Sequence, residues 1–211
     1  MKNWTEQKHK DRRKFFKKHR ESDHVILIGE NKVLISSPHG VSQNRNGRPK
    51  VAEIGSAMMA LELQKETKSN LIIKTKNNFD DANFDEQSAY KFDMFKFIEE
   101  NDITHVLDFH GMKKERPLDV NLGAHFGNNT SVDEKLLFKL ETMLKKAGFI
   151  VKIDEPFMGS ARTLAGSSKN KYPHLWTLQI EINCGITNEP EQSEKCVRLF
   201  ETFSKWIAEI K

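Results

Sequence analysis

The sequence predicts an α/β fold whose strands are covered by helices on both sides. Strand-like and helix-like segments alternate along the chain, as they do when helices pack on the faces of a sheet. The runs at residues 71–73 (Leu-Ile-Ile) and 106–107 (Val-Leu) are continuously apolar, which indicates strands buried on both faces. Polar residues follow directly after several such runs, where an α/β sheet gathers its functional groups.

Each element has its own local signal. The first two strands flank residues 29–31 (Gly-Glu-Asn), which predicts a hairpin. The helix that ends near residue 100 carries Tyr90, Met94 and Phe97 at the spacing of one helical face. The predicted strands are residues 24–28, 32–37, 71–75, 104–109, 120–126, 149–153 and 177–183. The predicted helices are residues 8–20, 51–66, 87–100, 131–146 and 190–210.

Charge divides the chain into a short N-terminal segment and a larger remainder. Residues 1–20 hold nine Lys and Arg against two acidic residues, whereas the remainder carries a small acidic excess. We therefore expect residues 1–22 to be a basic helix or arm and residues 23–211 to be a single α/β domain. A basic arm would bind nucleic acid or another anionic surface. A solvated helix packed by Trp4, Phe15 and Phe16 explains the segment better, because no basic patch or stacking motif recurs downstream.

Composition excludes a membrane-spanning chain. No apolar stretch approaches the roughly 18 residues that span a bilayer, and the N-terminus lacks the apolar core of a signal peptide. Cys184 and Cys196 are the only cysteines, and two thiols without a secretory signal are expected to be free and reduced. We therefore expect a cytoplasmic protein with neither a membrane nor a nucleic acid as its partner. The sequence leaves the oligomeric state open.

Two histidines that follow predicted strands and one glutamate at the start of a predicted helix have the chemistry of metal ligands. His39 and His110 each follow a predicted strand and precede a glycine, which lets other groups approach closely. Glu53 lies at the start of the next helix, although the helix dipole alone would also favour a glutamate there. A catalytic zinc usually takes three ligands from His, Asp and Glu and leaves the fourth position to water. We therefore predict that His39, Glu53 and His110 bind one divalent ion, most simply Zn²⁺.

Two further carboxylates complete the predicted site. Glu181 lies between Ile180 and Ile182, where an unpaired carboxylate would be costly, so a role in the metal site explains it better than burial does. We predict that Glu181 is the general base, which accepts a proton from water and returns it to the leaving amine. Asp108 precedes His110 by two residues, so both side chains point to one face of the strand. Asp108 is predicted to fix the tautomer of a ligand histidine.

These motifs, in this order, resemble those of the N-formylglutamate amidohydrolase family, within the zinc carboxypeptidase-like and phosphorylase/hydrolase-like folds. The resemblance spans about residues 33–186 and includes Pro-His-Gly at 38–40, Leu-Asp-Phe-His-Gly at 107–111, and Pro-Phe-Met-Gly-Ser at 156–160 ahead of Leu-Gln-Ile-Glu-Ile-Asn at 178–183. Residues 80–83 (Asp-Asp-Ala-Asn) are similar to an Asp-x-Asn-Arg element of the family, but Phe84 stands in place of the arginine. The resemblance implies a three-layer α/β/α sandwich with a mixed, mostly parallel sheet, one divalent metal ion, and hydrolysis of an amide in an acidic substrate.

Three arginines are candidates for binding such a substrate. Arg45 and Arg48 lie between the first two predicted ligands, and Arg162 lies in residues 159–172, a long segment typical of a binding loop. Arginine binds carboxylates through two parallel hydrogen bonds. We therefore predict an amidohydrolase that acts on a small acidic N-acyl amino acid similar to N-formylglutamate. Two alternatives remain: hydrolysis of γ-glutamyl or peptide bonds, and a non-catalytic protein of the same fold that binds a metal or an anion.

Overall fold

Strands and helices alternate along most of the chain. The structure, a computed structural model, describes residues 4–124, 134–160 and 162–210. The strands are β1 (His24–Leu27), β2 (Val33–Ser37), β3 (Gln43–Arg45), β4 (Arg48–Lys50), β5 (Asn70–Lys74), β6 (His105–Met112), β7 (Val120–Gly123), β8 (Val151–Ile153) and β9 (Trp176–Asn183). The helices are α1 (Trp4–Lys18), α2 (Ile54–Thr67), α3 (Ala89–Glu100), α4 (Glu134–Lys146), α5 (Leu164–Lys171), α6 (Cys184–Asn188) and α7 (Ser193–Ile207), with a short 3₁₀ turn, Pro190–Gln192, before the last.

The central sheet is mixed and mostly parallel, as the sequence predicts. Its seven strands have the order β1-β5-β2-β6-β9-β7-β8. The pairs β5–β2, β2–β6, β6–β9 and β7–β8 are parallel, whereas β1–β5 and β9–β7 are antiparallel. The carboxyl ends of β2, β6 and β9 therefore lie side by side at one edge of the sheet, which is the edge that carries the candidate site.

Helices cover both faces of this sheet and complete the predicted three-layer sandwich. The larger core joins α2, α4 and α7 to one face and includes Leu107 and Phe109 alternating with buried polar residues of β6. The smaller core joins α3 and α5 to the other face through residues such as Leu34, Ile72 and Val106. Successive strand residues thus enter opposite cores, because strand side chains alternate between faces.

The basic N-terminal segment forms α1 and packs on the larger layer of helices. The hydroxyl groups of Thr5 and Ser193 lie 3.1 Å apart, and His9 Nε2 lies 2.8 Å from the carbonyl oxygen of Thr187. The Lys8 ammonium makes a 2.6 Å ion pair with the buried Glu62 carboxylate of α2. These contacts favour a packed helix over a free arm. Residues 1–3 of the predicted segment lie outside the described residues.

Local sequence signals were wrong or incomplete at three places. The predicted hairpin of residues 24–28 and 32–37 is wrong, because β5 lies between β1 and β2. The Asn70 side chain at the start of β5 accepts from the Gly29 N–H and donates to the carbonyl of Val33. Residues 41–50 and 159–172 were interpreted as loops, but they contain the β3–β4 hairpin and α5. The predicted element ends at residues 126 and 131 lie outside the described residues.

Two findings concern the predicted cellular context. No described helix has both the length and the apolar character needed to cross a membrane. Cys184 and Cys196 are both free thiols, as predicted.

Candidate metal centre

The predicted metal-site side chains meet at the carboxyl ends of the central parallel strands. His39 follows β2 by two residues, and His110 in β6 lies directly beside Glu181 in β9 because the strand register pairs them. Glu53 immediately precedes α2, and its backbone N–H donates to the carbonyl oxygen of His39 at 2.8 Å. Parallel strands that end at one edge therefore bring together residues that are up to 142 positions apart in the sequence.

Both glycines that follow the histidines allow close approach, as the sequence predicts. A Cβ atom at Gly111 would lie 3.3 Å from the Glu53 Cβ, and the Gly111 N–H donates to Glu53 Oε2 at 2.9 Å. A Cβ atom at Gly40 would lie only 2.8 Å from both the Phe16 ring and the Lys74 carbonyl oxygen. A larger residue at Gly40 would have to displace the Lys74 backbone or the Phe16 ring, and a larger residue at Gly111 would press on the Glu53 side chain.

The two histidine rings and the Glu53 carboxylate converge on one point. His39 Nδ1 lies 3.0 Å from Glu53 Oε1 and 3.0 Å from His110 Nδ1. His110 Nδ1 lies 3.3 Å from Glu53 Oε2. One potential ligand atom from each residue lies within 4.8 Å of the others. The structure thus brings together all three residues that the sequence predicts as ligands.

A carboxylate contacts the opposite nitrogen of each histidine ring. His39 Nε2 lies 2.8 Å from Asp81 Oδ1, and His110 Nε2 lies 2.9 Å from Asp108 Oδ2. Such a contact favours a proton on Nε2 and directs the Nδ1 lone pair towards the shared point. Asp108 lies where the sequence predicts it. Asp81 was not predicted as a site residue, although it belongs to the Asp-Asp-Ala-Asn element that carries part of the family resemblance.

Burial and mutual charge set the ionisation of this cluster. Burial alone would raise the pKa of Glu53, but His39 and His110 outweigh it and hold this pKa well below its ordinary value. Burial alone would lower the pKa of His110, but Asp108 and Glu53 outweigh it and raise this pKa well above its ordinary value. The Glu53 carboxylate therefore stays ionised and favours a cation beside it.

Glu181 has a different environment from the other carboxylates. Burial raises its pKa and nearby Glu53 raises it further, while His110 acts in the opposite direction. The Gln179 side-chain N–H donates to Glu181 Oε1 at 2.9 Å, which fixes the orientation of the carboxyl group. Gln179 also faces the candidate site, and the sequence analysis gave it no role.

This set of donor atoms fits a zinc ion. Two imidazole nitrogens and one carboxylate oxygen form a ligand set that catalytic zinc sites use, with a position left for water. Asp81 and Asp108 supply the outer carboxylates that usually orient such imidazoles. The same ligand types also suit other transition metals, so the donor set selects a class of ions and not zinc alone.

The cluster opens into a cavity of about 490 Å³ whose charged lining residues are mostly basic. The charged residues among the described lining are the acids Glu53 and Glu181 and the bases Arg45, Lys50, Lys113, Arg116 and Arg162. Arg45 and Arg162 thus both line this cavity. Arg48 is exposed on β4 and is not among the described residues that line this cavity.

Two of the arginines are held in place by their neighbours. Arg45 Nε donates to Asp81 Oδ2 at 2.7 Å, and its guanidinium carbon lies 5.1 Å from the centre of the Phe84 ring. The Arg116 guanidinium lies 4.7 Å from the centre of the Phe157 ring. Phe84, which replaces the arginine of the family element, therefore supports a guanidinium group from another part of the chain.

Comparison with known proteins identifies the fold. No protein-family model matches the chain, and no curated protein sequence matches it. N-formylglutamate amidohydrolase from Ralstonia eutropha JMP134 is similar in structure, with 14% identity, a TM-score of 0.60, and coverage of 90% of this chain and 97% of that one. A bacteriophage poly-γ-glutamate hydrolase has 15% identity, a TM-score of 0.54, and coverage of 89% and 87%. A metallo-carboxypeptidase from Burkholderia cenocepacia has 11% identity, a TM-score of 0.55, and coverage of 95% and 69%.

These similarities show that the chain shares the fold of these three proteins. At identities this low they establish the fold alone. The predicted resemblance to the N-formylglutamate amidohydrolase fold is therefore confirmed, while the activity must be inferred from the residues of the site.

Proposed function

We propose that the protein is a zinc-dependent amidohydrolase that cleaves the amide bond of a small acidic N-acyl amino acid similar to N-formylglutamate. One observation carries the proposal: the ligand atoms of His39, Glu53 and His110 lie within 4.8 Å of one another at a basic cavity, with Glu181 beside them. Two structures with the same fold are named for hydrolysis of N-formylglutamate and poly-γ-glutamate, both built on glutamate.

The roles of the residues follow from their positions. When bound, the ion supplies Lewis-acid chemistry at the scissile carbonyl and at water. Asp81 and Asp108 keep the histidine rings oriented. Glu181 accepts the proton of the attacking water and delivers it to the leaving amine. Neighbouring strands lie about 4.8 Å apart, so Glu181 is within reach of a reaction beside His110.

The basic cavity wall favours a substrate with free carboxylates. Arg45 uses one N–H group on Asp81 and retains others for a substrate, and Phe84 holds its guanidinium plane. Arg162 is an exposed residue that lines the same cavity. A bidentate arginine–carboxylate contact fixes the substrate in one orientation, which places the amide over the catalytic groups.

The second candidate function is hydrolysis of γ-glutamyl or peptide bonds in a longer substrate, and a second cavity favours it. This cavity of about 740 Å³ shares Phe84 and Arg162 with the first, and its other described lining residues are Asp85, Glu86, Gln87, Lys91 and Ser167. A single N-acyl amino acid would fill only the first cavity, whereas a longer substrate would extend past Arg162 into the second, which carries both acidic and basic residues.

Turnover measurements with and without metal test the proposal. The purified protein would be stripped with a chelator, reloaded with zinc, and assayed on N-formylglutamate, its uncharged diamide analogue and a γ-glutamyl oligomer. We expect zinc-dependent cleavage that prefers the charged substrates, and faster cleavage of the oligomer would select the second candidate. Zinc binding without turnover of any substrate would contradict hydrolysis and favour the non-catalytic alternative.

A further inference from the structure

Lys50 contacts the same atoms that are proposed to bind the metal ion. Its Nζ lies 2.9 Å from His39 Nδ1 and also donates to Glu53 Oε1. The Lys50 side chain is 25% exposed and lines the first cavity. Neither the zinc-ligand pattern nor the substrate-binding arginines assign a role to this ammonium group.

The β3–β4 hairpin holds Lys50 beside His39. Lys50 pairs with Gln43 across the hairpin. The Gln43 side chain donates to the carbonyl oxygen of Pro38 and accepts from the Ala82 N–H at 3.1 Å. Pro38 immediately precedes His39, so one buried glutamine ties the hairpin to the segment that carries the ligand. The position of the Lys50 backbone is therefore fixed relative to the cluster, and its side chain alone is free to move.

The ammonium group and a metal ion would compete for the same lone pairs. His39 Nδ1 has a single lone pair, which Lys50 Nζ and His110 Nδ1 approach at 2.9 and 3.0 Å. An ion bound to this nitrogen and to Glu53 would take both acceptors of Lys50. A divalent ion and an ammonium group at such distances also repel each other strongly in a buried site.

We propose that Lys50 is an internal competitor for the metal ion: its ammonium group binds His39 and Glu53 in the metal-free protein and leaves them when the ion binds. The inference rests on the proposed metal site. It predicts that the chain binds zinc more weakly than its ligands alone would allow, and that Lys50 stabilises the metal-free state. The displaced group needs only a side-chain rotation, because it already lines the cavity.

Zinc affinities of two matched variants test the inference. Lys50→Met removes the charge and keeps most of the side-chain length, and Lys113→Met makes the same change at a lining lysine for which no contact with His39 or Glu53 is described. Full-length parent and variants would be stripped of metal and titrated with zinc against a chromophoric chelator. We expect Lys50→Met to bind zinc about ten- to a hundredfold more tightly, because a hydrogen bond to a charged group no longer opposes the ion. Lys113→Met should stay within about twofold of the parent.

Thermal unfolding supplies an independent readout. In Lys50→Met the difference in Tm between the zinc-loaded and metal-free forms should exceed that of the parent, because only the metal-free form loses a contact. Equal or weaker zinc affinity in Lys50→Met would overturn the competition and leave the proposed function standing. Equal gains in both variants would also overturn it, since general electrostatics would then explain the change. A parent protein that takes up no zinc would overturn both proposals.

Discussion

Two buried ionic clusters of similar composition differ in how their charges are satisfied. In the first, which we call the lysine cluster, Lys74 Nζ lies 2.6 Å from Asp23 Oδ1 and 2.8 and 3.0 Å from the two oxygens of Asp80. The Ser88 hydroxyl donates to Asp80, and His24 Nδ1 contacts Asp23. Lys74 is fully buried, and each of its partners has a further partner of its own.

The metal centre, formed by His39, Glu53 and His110, is not closed in this way. Its two imidazole nitrogens face each other at 3.0 Å, and Lys50 approaches the same acceptor. The lysine cluster satisfies its charges internally. It joins the residue before β1 and the last residue of β5 to the loop before α3, which is a structural role. The metal centre directs lone pairs towards one point at a cavity. Ionic composition alone therefore does not distinguish a functional site, whereas the convergence of ligand atoms on one point at a cavity does.

The largest expected effect is on turnover. Glu181→Gln should reduce kcat by about 10²–10⁴-fold, because the amide cannot accept the proton from water. The variant should retain its zinc and its stability, since Gln is isosteric with Glu and Gln179 remains beside it. Steady-state kinetics together with metal analysis check this outcome. Loss of zinc would make Glu181 a ligand, and full activity would assign the base to another group.

Breaking the lysine cluster should affect stability and not chemistry. Lys74→Met leaves Asp23 and Asp80 without their buried cation, which should lower the free energy of unfolding by about 3–5 kcal/mol. Urea unfolding of parent and variant measures this loss, and zinc affinity of the folded variant should change little. Lys96→Met removes the exposed partner of Glu100 and serves as the control, because such surface pairs contribute little. Similar losses in both variants would remove the distinction between the two clusters.

The outer carboxylates should affect the metal more than the fold. Asp81→Asn keeps the shape of the side chain but weakens its hold on the His39 ring, which should reduce zinc affinity by about 10–100-fold. Asp108→Asn should have an effect of the same size through His110. Zinc titration against a chelator measures both. Unchanged affinity in both variants would show that these aspartates serve the packing of the sheet and not the metal.

The smallest expected effect is on substrate choice. Arg162→Lys keeps the charge but loses the planar group that binds a carboxylate through two hydrogen bonds, so KM for N-formylglutamate should rise several-fold. KM for the uncharged amide should change less. If Arg162→Lys and the parent have the same ratio of the two KM values, Arg162 does not take part in substrate binding. That outcome would leave the proposal for the metal centre unaffected.

The sequence predicted the layers of the fold well because burial on both faces leaves a local signal. Apolar runs at residues 71–73 and 106–107 became central strands, and the polar residues that follow His105–Leu107 became the site. The β1–β2 hairpin was wrong because strand pairing is decided by contacts between distant segments, here through Asn70. The β3–β4 hairpin was missed although Asn46-Gly47 at its tip is a common hairpin turn.

The candidate site was predicted only as far as residue type and strand ends allow. His39, Glu53, His110 and Asp108 carried a recognisable pattern of ligand chemistry next to glycines and apolar runs. Asp81 carried only its place in the Asp-Asp-Ala-Asn element and Lys50 carried no signal, because their roles depend on how the 80–83 loop and the β3–β4 hairpin fold against His39. Arg48 and Arg45 have equal signals in sequence, and only the hairpin geometry separates the exposed residue from the one that lines the cavity.

Anomalous scattering from a crystal of the zinc-loaded protein tests the central claim most directly. Data collected on both sides of the zinc absorption edge locate the ion without reference to the assumed ligands. We expect one peak per chain, at about 2.0–2.2 Å from His39 Nδ1, His110 Nδ1 and a Glu53 oxygen, with the Lys50 ammonium displaced. A zinc-loaded crystal with no peak at this point, or with its ion bound elsewhere on the chain, would contradict the claim.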